Sequence, residues 1–173
     1  MHVRRIAPDD WPALRDLRLA ALMQDPAAFG QRHDQAARQP DNEWQDTARA
    51  ASAGDGRAWF LAEDDAGRAV GLVLGRRRPP DDCLVFSMWV DPSVRHGGVG
   101  RALVQAVAEW AGSWGARRIV LWVIRGNDGA LRFYERIGFR IVTDGPDAES
   151  GAAYGALAME RPAEGGHPEP VED

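Results

Sequence analysis

The chain has 173 residues, the size of one domain, with 26 acidic and 21 basic residues, a net charge of −5 and one cysteine. Every basic residue is an arginine, which excludes Schiff-base lysine chemistry and the P-loop lysine, and the acidic balance argues against sequence-independent nucleic-acid binding. A lone cysteine excludes an internal disulfide or a multi-cysteine metal cluster. The apolar runs are far shorter than the ~20 residues of a membrane span, and the charged start (Arg4, Arg5, Asp9, Asp10) is unlike a secretion signal, so a soluble cytoplasmic protein with no membrane partner is expected.

Residues 2–6 read as a first strand. Asp9 or Asp10 then offers a cap to a helix that carries Trp11, Leu14, Leu17 and Leu22 and ends near Asp25-Pro26. The polar segment 34–52 reads as helical in its later part, around Trp44 and Ala48, with a break at Pro40. Two apolar runs, 58–62 and 69–74, flank the turn Asp64-Asp65-Ala66-Gly67 and predict an antiparallel hairpin. Arg76-Arg77-Arg78-Pro79-Pro80 is a loop by composition. Residues 84–90 are apolar on both faces, which predicts a strand buried from both sides at the centre of a sheet.

Beyond Asp91-Pro92 and a glycine-rich turn, Val99, Leu103, Ala106, Val107, Trp110 and Trp114 recur at helical spacing. Gly115 closes that helix, and 117–124 supplies a further apolar strand. Strand, crossover helix and strand form a right-handed parallel βαβ unit. A last helix over 128–137 stops at Gly138, and residues 139–143 and 153–159 make a final strand pair. Residues 1–161 thus form one α/β domain, a mixed central sheet of about seven strands flanked by helices. Residues 162–173, rich in proline, glycine and acids, read as a disordered acidic tail.

The turn Arg95-His96-Gly97-Gly98-Val99-Gly100-Arg101 sits where a buried strand feeds an amphipathic helix. Backbone N–H groups at a helix start are unpaired and lie at the positive end of its dipole, so they suit a pyrophosphate, and a side chain at Gly98 or Gly100 would obstruct it. Such a turn is as often purely structural. A Walker loop is excluded because Arg101 and Ala102 follow Gly100, and a dinucleotide fingerprint fails because Leu103 stands where its third glycine belongs.

A second motif lies downstream, Asn127-x-x-Ala130-x-x-x-Tyr134-x-x-x-Gly138-Phe139. Together with Arg95-x-x-Gly98-x-Gly100 it resembles the GCN5-related N-acetyltransferases, and in element order the resemblance covers nearly the whole chain. It implies acetyl-CoA as co-substrate. The backbone of Met88, Trp89 and Val90 would pair with the pantetheine arm, residues 95–101 would hold the pyrophosphate, Asn127 would contact the arm, and Tyr134 would protonate the departing thiolate. His96 departs from the family's frequent glycine or arginine, which matters little where backbone groups bind. The region after the first helix would cover the amine, placing Phe29, Asp34 and Trp44 on the acceptor side.

Chemistry supports the same residues independently. Acetyl transfer needs a neutral amine, a donor for the oxyanion and a proton for the thiolate; a phenol of pKa ~10 serves the last if the site tunes it to the thiol, although Tyr134 could instead simply pack beside Phe133. Asn127 also suits the helix N-cap. The base is open: residues 84–90 contain no acid, leaving Asp81, Asp82, more weakly Glu63, or a water relay. Cys83 reads as a small buried hydrophobe, and His2, His33, His96 and His167 are too scattered for a metal site. The expected partner is a small-molecule primary amine such as an aminosugar antibiotic or a polyamine, drawn by Asp25, Asp34, Asp41 and Glu43 to a monomer or homodimer. Antibiotic resistance is one setting for such an activity. The alternatives are acetylation of a protein N-terminus or side chain, and a non-catalytic acyl-CoA-binding module.

Overall fold

The computed structural model describes residues 1–163. Within them lie seven strands: β1 (His2–Arg5), β2 (Arg57–Glu63), β3 (Ala69–Arg78), β4 (Asp82–Val90), β5 (Arg118–Ile124), β6 (Arg140–Val142) and β7 (Ala156–Pro162). The runs of helical period become α1 (Trp11–Gln24), α2 (His33–Ala37), α3 (Asp41–Ala53), α4 (Val99–Ser113) and α5 (Asp128–Arg136), and a further helix, α6, spans Gly145–Ala153. One sheet holds all seven strands in the order β1-β2-β3-β4-β5-β7-β6, antiparallel except for β4 and β5, which the α4 crossover makes parallel. None of the described helices is long and apolar enough to cross a membrane.

The strands are apolar on both faces because each face has a helical layer. Val73, Val85, Ile119, Leu121 and Met159 pack with Leu103, Val104 and Val107 of α4 and with Tyr134 of α5. Trp59, Leu61, Leu72 and Trp89 pack on the opposite face with Leu14, Leu17 and Leu22 of α1 and Trp44 and Ala48 of α3. Pro40 stands as the N-cap of α3 and divides the polar segment into α2 and α3, where the sequence suggested a single later helix.

Three expectations are corrected. Residues 76–78 belong to β3, with Arg76 opposite Leu84, Arg77 opposite Cys83 and Arg78 opposite Asp82, so the arginine run is strand rather than solvated loop. Helix α6 was not foreseen; its glycines and Pro146 conceal it, and it packs against Trp122, whose Nε1 donates to Asp147 O at 3.0 Å. The domain runs past residue 161: Pro162 pairs with Arg118, and Ala163 is buried and donates to Arg117 O. The rest of the predicted tail, 164–173, lies outside the described residues.

Gly151 fixes how closely α6 approaches the sheet. A Cβ there would lie 2.9 Å from Trp122 Cδ1 and 3.1 Å from Ala156 O. Glycine to alanine usually stabilises a helix, but here the overpacking should dominate: Gly151→Ala is expected to cost about 1–3 kcal/mol, read as a lower urea midpoint at unchanged slope.

An ion network closes the end of the sheet where β4 and β5 pair. Asp82 is bound by Arg78 (2.6 Å) and Arg118 (2.8 Å), Asp147 of α6 by Arg78 (2.7 Å) and Arg118 (3.2 Å), and Glu160 of β7 by Arg118 (2.7 Å) and Arg140 (2.8 Å). Three carboxylates and three guanidiniums thus tie β3, β4, β5, β6, β7 and α6 together, and the opposite end of the β4–β5 seam is left to part.

Candidate active site

The seam between β4 and β5 is a ladder only from Asp82–Arg118 to Leu84–Val120. Beyond it the strands diverge, and a structural irregularity in β4 explains why. Leu72 pairs with Trp89 but Leu74 pairs with Phe86, so three steps along β4 match two along β3: one extra residue is inserted. Ser87 carries it, at φ 53° in the left-handed region. The bulge resets the alternation, turning Met88 and Val90 to the α4 face and Trp89 to the α1 face. It also bends the strand, so that past Leu84 the β5-facing edge of β4 has no ladder partner.

The resulting cleft, about 260 Å³, passes between the two layers. Its walls are Val85–Met88 of β4 and Leu121–Ile124 of β5. Asn127, Ala130 and Tyr134 of α5 close it from one face, and Arg18, Ala28, Phe29 and Gly30 from the other. Asn127 caps α5 through Oδ1, which accepts from Ala130 N at 3.1 Å, while its Nδ2 has no partner among the described residues. The Tyr134 ring packs edge-on against Phe133 and Phe139. Burial pushes its phenol well above the usual tyrosine range, and no other described residue hydrogen-bonds the hydroxyl.

The glycine turn begins on a bracket of side chains. Arg95 donates through Nε to Val90 O (2.9 Å) and through Nη2 to Asp25 Oδ2 (2.8 Å), and Asp25 also accepts from Trp89 Nε1 (3.1 Å). The Arg95 guanidinium therefore braces the turn against β4 and the end of α1. His96 and Gly98 have φ of 74° and 82°, and residues 95–98 are exposed. Gly98 is the N-cap of α4, with open space where a Cβ would stand; Val99 turns its side chain into the core and Arg101 is exposed. Gly100 behaves differently from the expectation. Its Cβ would meet Met88 Cε at 2.9 Å and Phe133 Cζ at 3.1 Å, so this glycine allows α4 to pack against β4 and α5.

The structure brings Tyr134, Asn127, Met88 and Phe29 together at the cleft and sets the glycine turn directly beyond the end of β4. Other predicted residues lie elsewhere. Asp82 is in the ion network, and Asp81 pairs with Arg117 at 3.6 Å while its carbonyl accepts from Arg117 N; both precede the point where the strands part. Glu63 is held by Arg4 (2.6 Å). Trp44 is buried in the α1–α3 core, and Asp34, in a neighbouring depression, is bound by Arg32 (3.0 Å), which holds its carboxyl below the usual range. Cys83 is buried, and desolvation pushes its thiol up to about 12. Arg18 went unnoticed as a site residue, since nothing in a helix period distinguishes an arginine that lines a cleft from one in water; Asp25, expected to attract the amine, is instead held by Arg95 and Trp89.

Comparison with known proteins agrees with this geometry. Mycothiol acetyltransferase of Actinosynnema mirum is 35% identical over 85 residues, 49% of this chain; that match spans only 29% of the relative's length. Nourseothricin acetyltransferase is similar in structure at a TM-score of 0.54 and 32% identity, covering 62% of this chain and 66% of that one. The PaiA N-acetyltransferase of Thermoplasma acidophilum, in complex with coenzyme A, superposes over 93% of this chain and 98% of its own with a TM-score of 0.72 at 13% identity, a likeness of fold. Residues 11–139 match the acetyltransferase (GNAT) family, and with a parallel β4–β5 pair that opens onto a glycine-capped helix, the chain belongs to that family.

Proposed function

We propose that the chain is an acetyl-CoA-dependent N-acetyltransferase that transfers the acetyl group directly to the primary amine of a small molecule. The observation that carries this reading is the parted β4–β5 seam, with a buried phenol on one side and a wall of Arg18, Ala28, Phe29 and Gly30 on the other.

The residues present fit acetyl-CoA. The unpartnered edge of β4 past Leu84 offers backbone groups to the amides of a pantetheine arm, and the exposed start of α4 offers N–H groups to its pyrophosphate. The thioester supplies an activated acyl group and a thiolate leaving group. With the thioester bound, the amine would form the C–N bond as the C–S bond breaks; unpartnered backbone N–H groups of β4 would be available to the oxyanion, and the Tyr134 O–H would give its proton to the sulfur. Burial raises the phenol's pKa and so keeps it protonated, available as a donor when the thiolate departs. No carboxylate of the described residues lines the cleft, which favours a water relay for the amine proton.

The cleft, about 260 Å³ and shared with the pantetheine arm, suits a small acceptor. The acids expected to attract a polycation are engaged elsewhere, Asp34 by Arg32, Asp41 by Arg15, Glu43 by Gln39 and Asp25 by Arg95, and none lines the cleft. The geometry therefore does not favour a polyamine.

Release of thiol from acetyl-CoA, measured against a panel of small amines, amino acids and peptides, tests the reading. Turnover with small amines or amino acids, and not with peptides, is expected. Turnover only with peptides would move the acceptor to proteins, and acetyl-CoA binding without turnover would make the chain a binding module. Gly98→Val provides a separate check on the cofactor side. A β-branched residue at φ 82° strains the turn by about 1–2 kcal/mol and crowds its N–H groups, so acetyl-CoA affinity should fall by about tenfold or more by calorimetry, in a variant whose circular dichroism is unchanged.

A further inference from the structure

Arg18 is the one charged side chain among those lining the cleft. Its guanidinium carbon lies 4.9 Å over the ring of Phe29 and its Nη2 donates to Gln31 Oε1 at 3.2 Å, whereas its Nη1 is buried without a hydrogen-bond partner. No carboxylate among the described residues pairs with it. The arginines that hold the fold together are arranged otherwise: Arg4 sits on Asp10 and Glu63, Arg78 on Asp82 and Asp147, and Arg118 on those two and Glu160. A guanidinium withdrawn from water normally has an anion beside it, because the uncompensated charge and its unfilled donors are otherwise costly. Arg18 has an aromatic face and an open cleft instead.

Its position indicates which substrate it would meet. Arg18 comes from α1, on the sheet face opposite α4 and α5, and reaches the cleft from the side that does not carry the glycine turn. On that same face Phe86 and Trp122 stack across the parted strands, with centroids 6.1 Å apart, and Arg76 lies 4.9 Å from the Phe86 ring, a second cation without a carboxylate. Hence this side of the cleft presents the Arg18 guanidinium and aromatic rings, with Arg76 beside Phe86 and no acid among the described residues that line the cleft.

Resting on the acetyl-transfer reading of this cleft, we infer that the acceptor is a small primary amine that also bears a carboxylate, which pairs with the Arg18 guanidinium while an apolar or aromatic side chain lies against Phe29 and the Phe86–Trp122 stack. The planar fork of arginine matches a carboxylate in charge and geometry. A phosphate dianion would leave excess charge against the single guanidinium inside the cleft, and a polycation would be repelled by it.

Matched substrates provide the test: phenylalanine against phenethylamine and leucine against 3-methylbutylamine, with O-phosphoethanolamine and spermidine as further arms, each followed by thiol release. For the wild type the amino acid should have a KM lower than that of its decarboxylated partner by about tenfold or more. Arg18→Met should raise KM for the amino acid by a similar factor with a smaller change in kcat, raise KM for the decarboxylated amine much less, so that the difference within each matched pair shrinks, and be partly rescued by Arg18→Lys. Equal KM values within the matched pairs, or preference for the phosphate or for spermidine, would overturn the inference, and the wild-type comparison requires no variant to fold. Calorimetry of the same compounds against protein loaded with coenzyme A separates the two readings. Carboxylate-dependent binding without turnover would support the Arg18 site while refuting acetyl transfer, and turnover without carboxylate dependence would do the reverse.

Discussion

Tyr134→Phe is expected to lower turnover by roughly 10²- to 10⁴-fold while leaving acetyl-CoA affinity unchanged. The substitution removes one oxygen from a ring that packs against Phe133 and Phe139, and no described residue hydrogen-bonds that oxygen, so the fold should scarcely notice its loss. A merely structural tyrosine would leave turnover intact. The pH profile gives a second reading. Because burial raises the phenol's pKa above its usual value, Tyr134 stays a proton donor up to about pH 10 and beyond, and turnover should rise as the amine loses its proton, with no falling alkaline limb from the phenol in that range. A wild-type limb that falls near pH 8 to 9 and disappears in Tyr134→Phe would show that the phenol is not held protonated. Slow product release can mask a chemical step, so turnover should be compared in single-turnover as well as steady-state experiments.

Much of this site was legible because its parts are local. The helical period of Val99, Leu103 and Val107, the strands either side of it and the stop at Gly138 lie in continuous stretches, and each appears within a residue or two of its expected bounds. The spacing from Asn127 to Tyr134 needed only α5 to form, which puts the cap at the mouth and the phenol two turns in. What escaped detection depends on pairing between distant segments. The bulge at Ser87 is invisible in a run apolar on both faces, because a shift of one residue leaves every position apolar; only the register against Leu72 and Leu74 exposes it. Asp81 and Asp82 attracted attention as acids next to the central strand, but the partners that decide their role, Arg117 and Arg118, are more than thirty positions away. Helix α6 was hidden for a related reason, since Gly151 is unfavourable in a helix until Trp122 occupies the space beside it.

The Asp82 network yields the other large effect, and it distinguishes a structural acid from a catalytic base. Asp82→Ala should destabilise the fold by about 1–3 kcal/mol, since a buried carboxylate is lost while the partly exposed Arg78 and Arg118 keep Asp147 and Glu160. Asp82 is 8% exposed, and both Arg78 and Arg118 are oriented by it, so the loss reaches Asp147 and Glu160 through shared guanidiniums. Under conditions where the variant remains folded, kcat should stay within about twofold of the wild type, as expected for a group outside the reacting constellation. A fall of a hundredfold or more at full foldedness would instead restore Asp82 as the base. Asp147 adds a pH dependence whose direction follows from its environment. Its hydrogen bonds from Arg78, followed by the charges of Arg78 and Arg118, hold its carboxyl below the usual value in the folded chain, outweighing the opposing effect of burial. The folded state therefore binds this proton less readily than the unfolded state, and the stabilisation is fully present above the unfolded carboxylate pKa of about 3.9 and is lost as pH falls through the lower folded value. Asp147→Asn should accordingly be less stable than the wild type at neutral pH, with the difference shrinking below about pH 4. A deficit that persists unchanged into strong acid would mean that Asp147 contributes by packing under Trp122 and not through its charge.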